Sequence, residues 1–192
     1  MIRASQLSKR FGDKRALHGL DFEVPHGGFV LVTGPNGSGK TTLLRLCAGL
    51  AAPTDGELEV EAPRGAIGFL AHESLLYGEL TALENLDLYG RLYRLPERRE
   101  RSGAMLERFG LWRARNERAG TFSRGMLQRL ALCRTFLHDP ELLLLDEPFD
   151  GLDAEGTELL HAELSERSAT ALVATHDPDS LAERATARLV LA

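Results

Sequence analysis

The fold class this sequence predicts is α/β: a parallel-sheet core with a small antiparallel β subdomain and an inserted helical subdomain. Three observations predict it. The β-branched run Phe29–Thr33 passes through a glycine-rich turn into a helical pattern over residues 39–50, the strand–turn–helix opening of a parallel unit. Short apolar runs bounded by turn residues return at 142–145 and 171–175, as strands buried on both faces do. Between His72 and His138 the periodicity is helical instead.

Taken in order, residues 2–24 alternate short apolar stretches with turn-like Gly12 and Asp13 and read as antiparallel strands. A tight turn at residues 25–28 leads into Phe29–Thr33. Short strands are expected at 56–60 and 66–70, then helices at 81–92, 96–109 and 124–138. Thr81 followed by Glu84 has the spacing of a capping box. Strands are expected again at 142–145 and 171–175, with a turn or helix before each, and at 188–191. The expected organisation is a single domain over 1–192. Within it, 1–72 and 139–192 form the α/β core with its antiparallel part, and 73–138 form the helical subdomain.

Composition bounds the function. Hydrophobic residues make up 43% and charged residues 27% of 192, a balance that suits one packed domain and argues against disorder or a fibre. The uninterrupted apolar stretches fall far short of the roughly 18 residues that cross a bilayer. Residues 1–10 are polar and lack the apolar core of a secretory signal, so the expected location is cytoplasmic. The formal charge of −5 gives no general attraction to nucleic acid. Residues 91–118 carry nine arginines against four glutamates, net +5, but the interspersed acids and helical spacing read as a solvated helix face. Cys47 and Cys133 sit in apolar helical patterns without metal-ligand spacing and read as buried thiols.

The chemistry begins at Gly34-Pro35-Asn36-Gly37-Ser38-Gly39-Lys40-Thr41, which fits G-x-x-x-x-G-K-[ST]. Glycines let successive N–H groups curl around an anion at the start of a helix whose dipole favours negative charge. Lys40 then reaches the β- and γ-phosphates, and the Thr41 hydroxyl ligates Mg2+. The strand at 142–145 presents Asp146 and Glu147 at the carboxyl edge of the sheet, where ligands bind in open α/β folds. Asp146 is placed to hold Mg2+ and Glu147 to deprotonate the attacking water.

With these motifs in hand, the order of those that remain resembles the ABC-type ATPases over nearly the whole chain. Phe122-Ser123-Arg124-Gly125-Met126, followed by Gln128 and Arg129, looks like the family signature, with Arg124 at its usual first glycine and Met126 at its usual glutamine. The resemblance implies that Ser123 and Gly125 face ATP held by another subunit, in a head-to-tail dimer with itself or with a paralogous ATPase subunit. It further implies that Asp153, in Phe149-Asp150-Gly151-Leu152-Asp153, communicates across that dimer. His176 matches the γ-phosphate-sensing histidine, and Thr42 joins the ATP-binding set. Phe11 stands where an aromatic ring stacks on adenine; on the residues alone it reads equally as a core aromatic of the small sheet. His72 occupies the place of the family's Q-loop glutamine, so the metal set becomes Thr41, Asp146 and His72, whose imidazole binds only when neutral.

The resemblance implies separate transmembrane permease subunits, which would hold the chain on the inner face of the cell membrane, and no direct nucleic acid partner. The run 69–72 together with 79–86, histidine included, is similar to the ATPase subunit of the haem-exporter-type complex of cytochrome c maturation. In that system the chain would not bind haem directly. A generic drug, peptide or lipid exporter subunit, and a soluble ABC ATPase that drives assembly or remodelling, are the other readings.

Overall fold

The computed structural model describes all 192 residues and divides the chain into two compact units. One comprises Met1–His72, Glu141–Glu147 and Ala169–Ala192; the other comprises Glu73–Pro140 and Pro148–Ser168. Pro148–Ser168, grouped with the core from the sequence, therefore clusters with the helical segment.

The first unit holds two sheets. Strands β1 (Ile2–Phe11), β2 (Lys14–Val24) and β4 (Asp55–Val60) form an antiparallel sheet of order β2-β1-β4. The two-residue turn Gly12-Asp13 closes the β1–β2 hairpin and pairs Phe11 with Lys14, so both side chains lie on one face of it. The second sheet is parallel, of order β5-β6-β7-β3-β8, from β3 (Phe29–Thr33), β5 (Ile67–Leu70), β6 (Leu142–Asp146), β7 (Thr170–Ala174) and β8 (Ala187–Val190). Its central strands are buried almost throughout, which explains why they read as continuous apolar runs rather than alternating ones. Helix α1 (Lys40–Cys47) packs on β6 and β7. Its Leu43, Leu44 and Leu46 join Val30, Val32, Leu142, Leu144 and Leu172 in one core cluster. The strand order brings the carboxyl ends of β3, β6 and β7 side by side, with the loop after β3 leading into α1.

The second unit is helical: α2 (Ala82–Leu92), α3 (Arg98–Arg108), α4 (Arg124–Phe136) and α5 (Ala154–Glu166). The capping box forms as its spacing predicts, with Glu84 N donating to Thr81 Oγ1 at 3.1 Å and Thr81 N donating to Glu84 Oε2 at 2.8 Å. Helix α3 starts later than the pattern suggests, because Glu97 sits at φ 50°, outside the helical region. The core includes Leu106, Leu130, Leu160 and the stacked rings of Phe109 and Phe136. Four of the nine arginines in 91–118 are ion-paired within this unit: Arg91 and Arg98 to Asp87, Arg108 to Glu163 and Glu166, and Arg118 to Glu79.

Both cysteines are free and buried. Burial pushes the Cys47 thiol up to about 12 and the Cys133 thiol well above its ordinary value, which leaves neither as a reactive thiolate. No helix is long and apolar enough to cross a membrane.

Candidate functional site

Loop 34–39 has positive φ at three glycines, Gly34, Gly37 and Gly39, and at the first and last of them close neighbours also leave no room for a side chain. Gly34 has φ 148° and Gly39 φ 100°; a Cβ on the first would lie 2.4 Å from Leu191 O, and on the second 2.3 Å from Ala16 O. The loop is thereby seated against neighbouring backbone immediately ahead of α1, the position in which backbone N–H groups serve an anion. Lys40, the first residue of α1, is 8% exposed and donates from Nζ to Gly34 O at 2.8 Å and Pro35 O at 3.3 Å. Ser38 Oγ is buried without a hydrogen-bond partner.

Opposite the loop stand the acids at the end of β6. Thr41 Oγ1 donates to Asp146 Oδ2 at 2.7 Å, which places two oxygens from the two sequence motifs side by side. Asp146 is buried, and burial raises its carboxyl above the usual range. The hydrogen bond from Thr41 opposes that rise, the neighbouring Glu147 adds to it, and the charges of His72 and Lys40 pull it down. A group whose folded-state pKa is raised contributes fully below its unfolded value and loses that contribution as pH rises through the folded value. At neutral pH the ionised Asp146 is therefore a cost to the ligand-free fold. Asp146→Asn keeps an acceptor for Thr41 and removes the charge, so its ligand-free thermal midpoint at pH 7 should rise by a few degrees. The gain should shrink towards pH 4, as calorimetric scans across that range would show.

Glu147 adopts φ 48°, in the left-handed region that costs a non-glycine residue strain of the kind found at functional sites. Its N–H donates to Ala174 O at 2.9 Å, and its Oε2 accepts from His176 N at 3.1 Å and lies 2.7 Å from His176 Nδ1. The acid is thus aimed by Ala174, the last residue of β7, and by His176 just beyond it.

These groups line one cleft of about 510 Å³, bounded by Phe11, Lys14, Ala16, Asn36, Gly37, Gly39, Lys40, Thr41, Thr42, His72, Asp146 and Glu147, a size that suits a small-molecule ligand. Phe11 is 56% exposed, which corrects its alternative reading as a core aromatic: the hairpin tip presents the ring to the cleft. Lys14 and Ala16 were not anticipated. Their signal was the two-residue turn Gly12-Asp13, which sets Lys14 directly across from Phe11. Gly34, Pro35 and Ser38 complete the loop, and His176 reaches the cleft through Glu147. Ser123, Gly125 and Asp153 lie in the second unit and form a group of their own. Ser123 caps α4 by accepting from Met126 N at 3.2 Å, and Asp153 caps α5 by accepting from Gly156 N at 2.9 Å. That backbone bond holds the Asp153 carboxyl below its usual range; burial opposes it, and Arg129 reinforces it.

A parallel sheet carrying a glycine-rich anion loop, a hydroxyl and two acids at its carboxyl edge defines a nucleoside-triphosphate-binding α/β protein. The family model described as ABC transporter matches residues 17–150, and the chain belongs to that family. The chain is 43% identical over 166 residues to the daunorubicin resistance ATP-binding protein DrrA3 of Streptomyces coeruleorubidus, covering 81% of this chain and 52% of that protein. It is 35% identical over 195 residues to the ABC transporter ATP-binding protein NatA of Bacillus subtilis, covering 92% of this chain and 79% of that one. The chain thus spans about half the length of the daunorubicin resistance relative. Among solved structures, the dimeric post-hydrolysis state of the cassette MJ0796 bound to ADP and phosphate superimposes with TM-score 0.87 at 30% identity, covering 100% of this chain and 94% of that one.

Proposed function

We propose that this chain is the nucleotide-binding subunit of an ABC exporter: it binds and hydrolyses ATP in the cleft described above and works with separate membrane-embedded permease subunits. One observation carries the reading, the 2.7 Å contact between Thr41 and Asp146 that unites the anion loop with the acidic strand end. In this reading the N–H groups of residues 36–39, with Lys40, Thr41 and Thr42, hold the triphosphate, and Phe11 stacks on adenine.

Mg2+ fits the residues present. Thr41 Oγ1 and Asp146 Oδ2 offer hard oxygen ligands in the cleft, His72 stands nearby, and bound Mg2+ would neutralise charge building on the phosphates. Glu147 accepts the proton of the attacking water, and His176 keeps its carboxylate aimed. Ser123, Gly125 and Asp153 serve the nucleotide of a second cassette, packed head to tail. The dimeric form of MJ0796 supports the pairing of two cassettes.

The exporter class rests on relatives such as the daunorubicin resistance protein and the bacitracin transport protein BcrA of Bacillus licheniformis. A finer reading, the ATPase of the haem-exporter-type complex, is favoured by His72 and the similarity over 69–72 and 79–86, and it stands second to the drug-exporter reading. Affinity purification from detergent-solubilised host membranes should recover integral membrane partners; soluble partners alone would move the chain to the remodelling class. Deletion of the gene followed by haem staining should leave c-type cytochromes at normal levels, and their loss would put the haem reading first.

A further inference from the structure

The segment from Pro148 to Glu155 is fastened along the first turns of α4 at three points. Gln128 Nε2 donates to Pro148 O at 3.1 Å, Arg124 Nη2 donates to Asp150 Oδ2 at 2.6 Å, and Arg129 pairs with Asp153 at 2.7 Å and Glu155 at 3.1 Å. Arg124 and Gln128, four residues apart, share one face of the helix. Arg124 also lies flat on Gly151, where φ is 80° and a Cβ would meet its Nε, Cγ and Cδ at 2.9 to 3.2 Å.

The three fastenings differ in kind. Arg129 is nearly buried, and its double pair secures the start of α5. Arg124 and Asp150 have side chains 73% and 38% exposed, and an exposed pair of this sort contributes little to stability. Helix stability does not explain the arginine either. It is the first residue of α4, where a cation opposes the helix dipole, and the first turn of α4 contains no acid. What the pair does do is fix the middle of the loop, which Gln128 and Arg129 hold only at its ends.

We propose that Arg124 and Asp150 form a positioning pair for ATP hydrolysis. By pinning Asp150 and Gly151 to α4, they hold the loop that leads into Asp153, itself paired with Arg129, in a fixed place relative to Ser123, Gly125 and the leading N–H groups of that helix. The proposal rests on the reading that these groups jointly face the nucleotide of a second cassette.

The test is a double-mutant cycle on the full chain, measuring steady-state ATP hydrolysis for Arg124→Met, Asp150→Asn and the two combined. Each single change should lower kcat about five- to ten-fold with KM for ATP within two-fold, and the combination should be no worse than either alone. Arg124→Lys should retain at least half of kcat, and thermal midpoints should stay within about 2 °C of wild type. Full kcat in either single variant, or losses that multiply in the combination, would overturn the proposal. If Arg124 instead bound the phosphate directly, Asp150→Asn would leave kcat intact or raise it, which overturns it equally. Failure of the underlying reading looks different: Glu147→Gln would then stay monomeric with saturating ATP by light scattering, whatever the cycle shows.

Discussion

Glu147→Gln should reduce ATP turnover at saturating nucleotide by about three orders of magnitude while leaving nucleotide affinity within a factor of three, the usual range for removing a general base. The substitution is unusually clean at this position. Glutamine keeps the length of the side chain and an oxygen that can still accept from His176 N, now at 3.1 Å from Glu147 Oε2. The backbone bond from residue 147 to Ala174 O is untouched, so the strained φ of 48° persists in the variant. What disappears is the basic oxygen that takes the proton from water. The anion loop, Lys40 and the Thr41–Asp146 contact remain as they were. Phosphate release and titration calorimetry with Mg-ATP give the two numbers. A parallel collapse in affinity would show that Glu147 builds the cleft rather than performing chemistry in it. With hydrolysis blocked, the ATP-bound dimer should accumulate in light scattering, which makes this variant the reference for every claim about Ser123, Gly125 and Asp153.

How much of this was legible beforehand follows from where the information lies. Strands β3, β6 and β7 could be read because burial on both faces forces continuous apolar runs, and the loop at 34–41 because its geometry tolerates few residue types. The capping box at Thr81 and Glu84 is local and was equally plain. Helix α5 is locally ambiguous between turn and helix: its interior holds Gly156, Thr157 and Ser165, and its start is set by Asp153, whose second partner, Arg129, lies 24 residues away. The same distance in sequence hid the attachment of Pro148–Ser168 to the helical unit, which runs through Gln128, Arg124 and Arg129. Phe11 was ambiguous because an aromatic at a strand end looks the same whether it faces a core or a cleft; only the hairpin register decides. Resemblance fixed the family from motif order, whereas the haem-exporter assignment leaned on a few residues around His72 that do not specify a cargo.

Lys40→Ala should weaken Mg-ATP binding by roughly two orders of magnitude, since a charge-assisted contact to phosphate in a partly buried site is worth about 1.5–3 kcal/mol. The structure gives two reasons to expect the upper end. Lys40 is 8% exposed, so its charge acts on the ligand with little screening by water. Its ammonium also donates to the Gly34 and Pro35 carbonyls, and alanine would leave the loop without the cation that gathers those oxygens inward. Loop shape should nevertheless survive in part, because Gly34 and Gly39 remain wedged against Leu191 O and Ala16 O. The ligand-free thermal midpoint should therefore change far less than the stabilisation by saturating nucleotide, which depends on the logarithm of ligand concentration over Kd and should largely vanish. Arginine should not rescue: its planar guanidinium is larger than the ammonium that fits between two carbonyls at 2.8 and 3.3 Å. Titration calorimetry with wild-type affinity in Lys40→Ala would remove the triphosphate from this cleft, and with it the roles given to Thr41, Asp146 and Glu147.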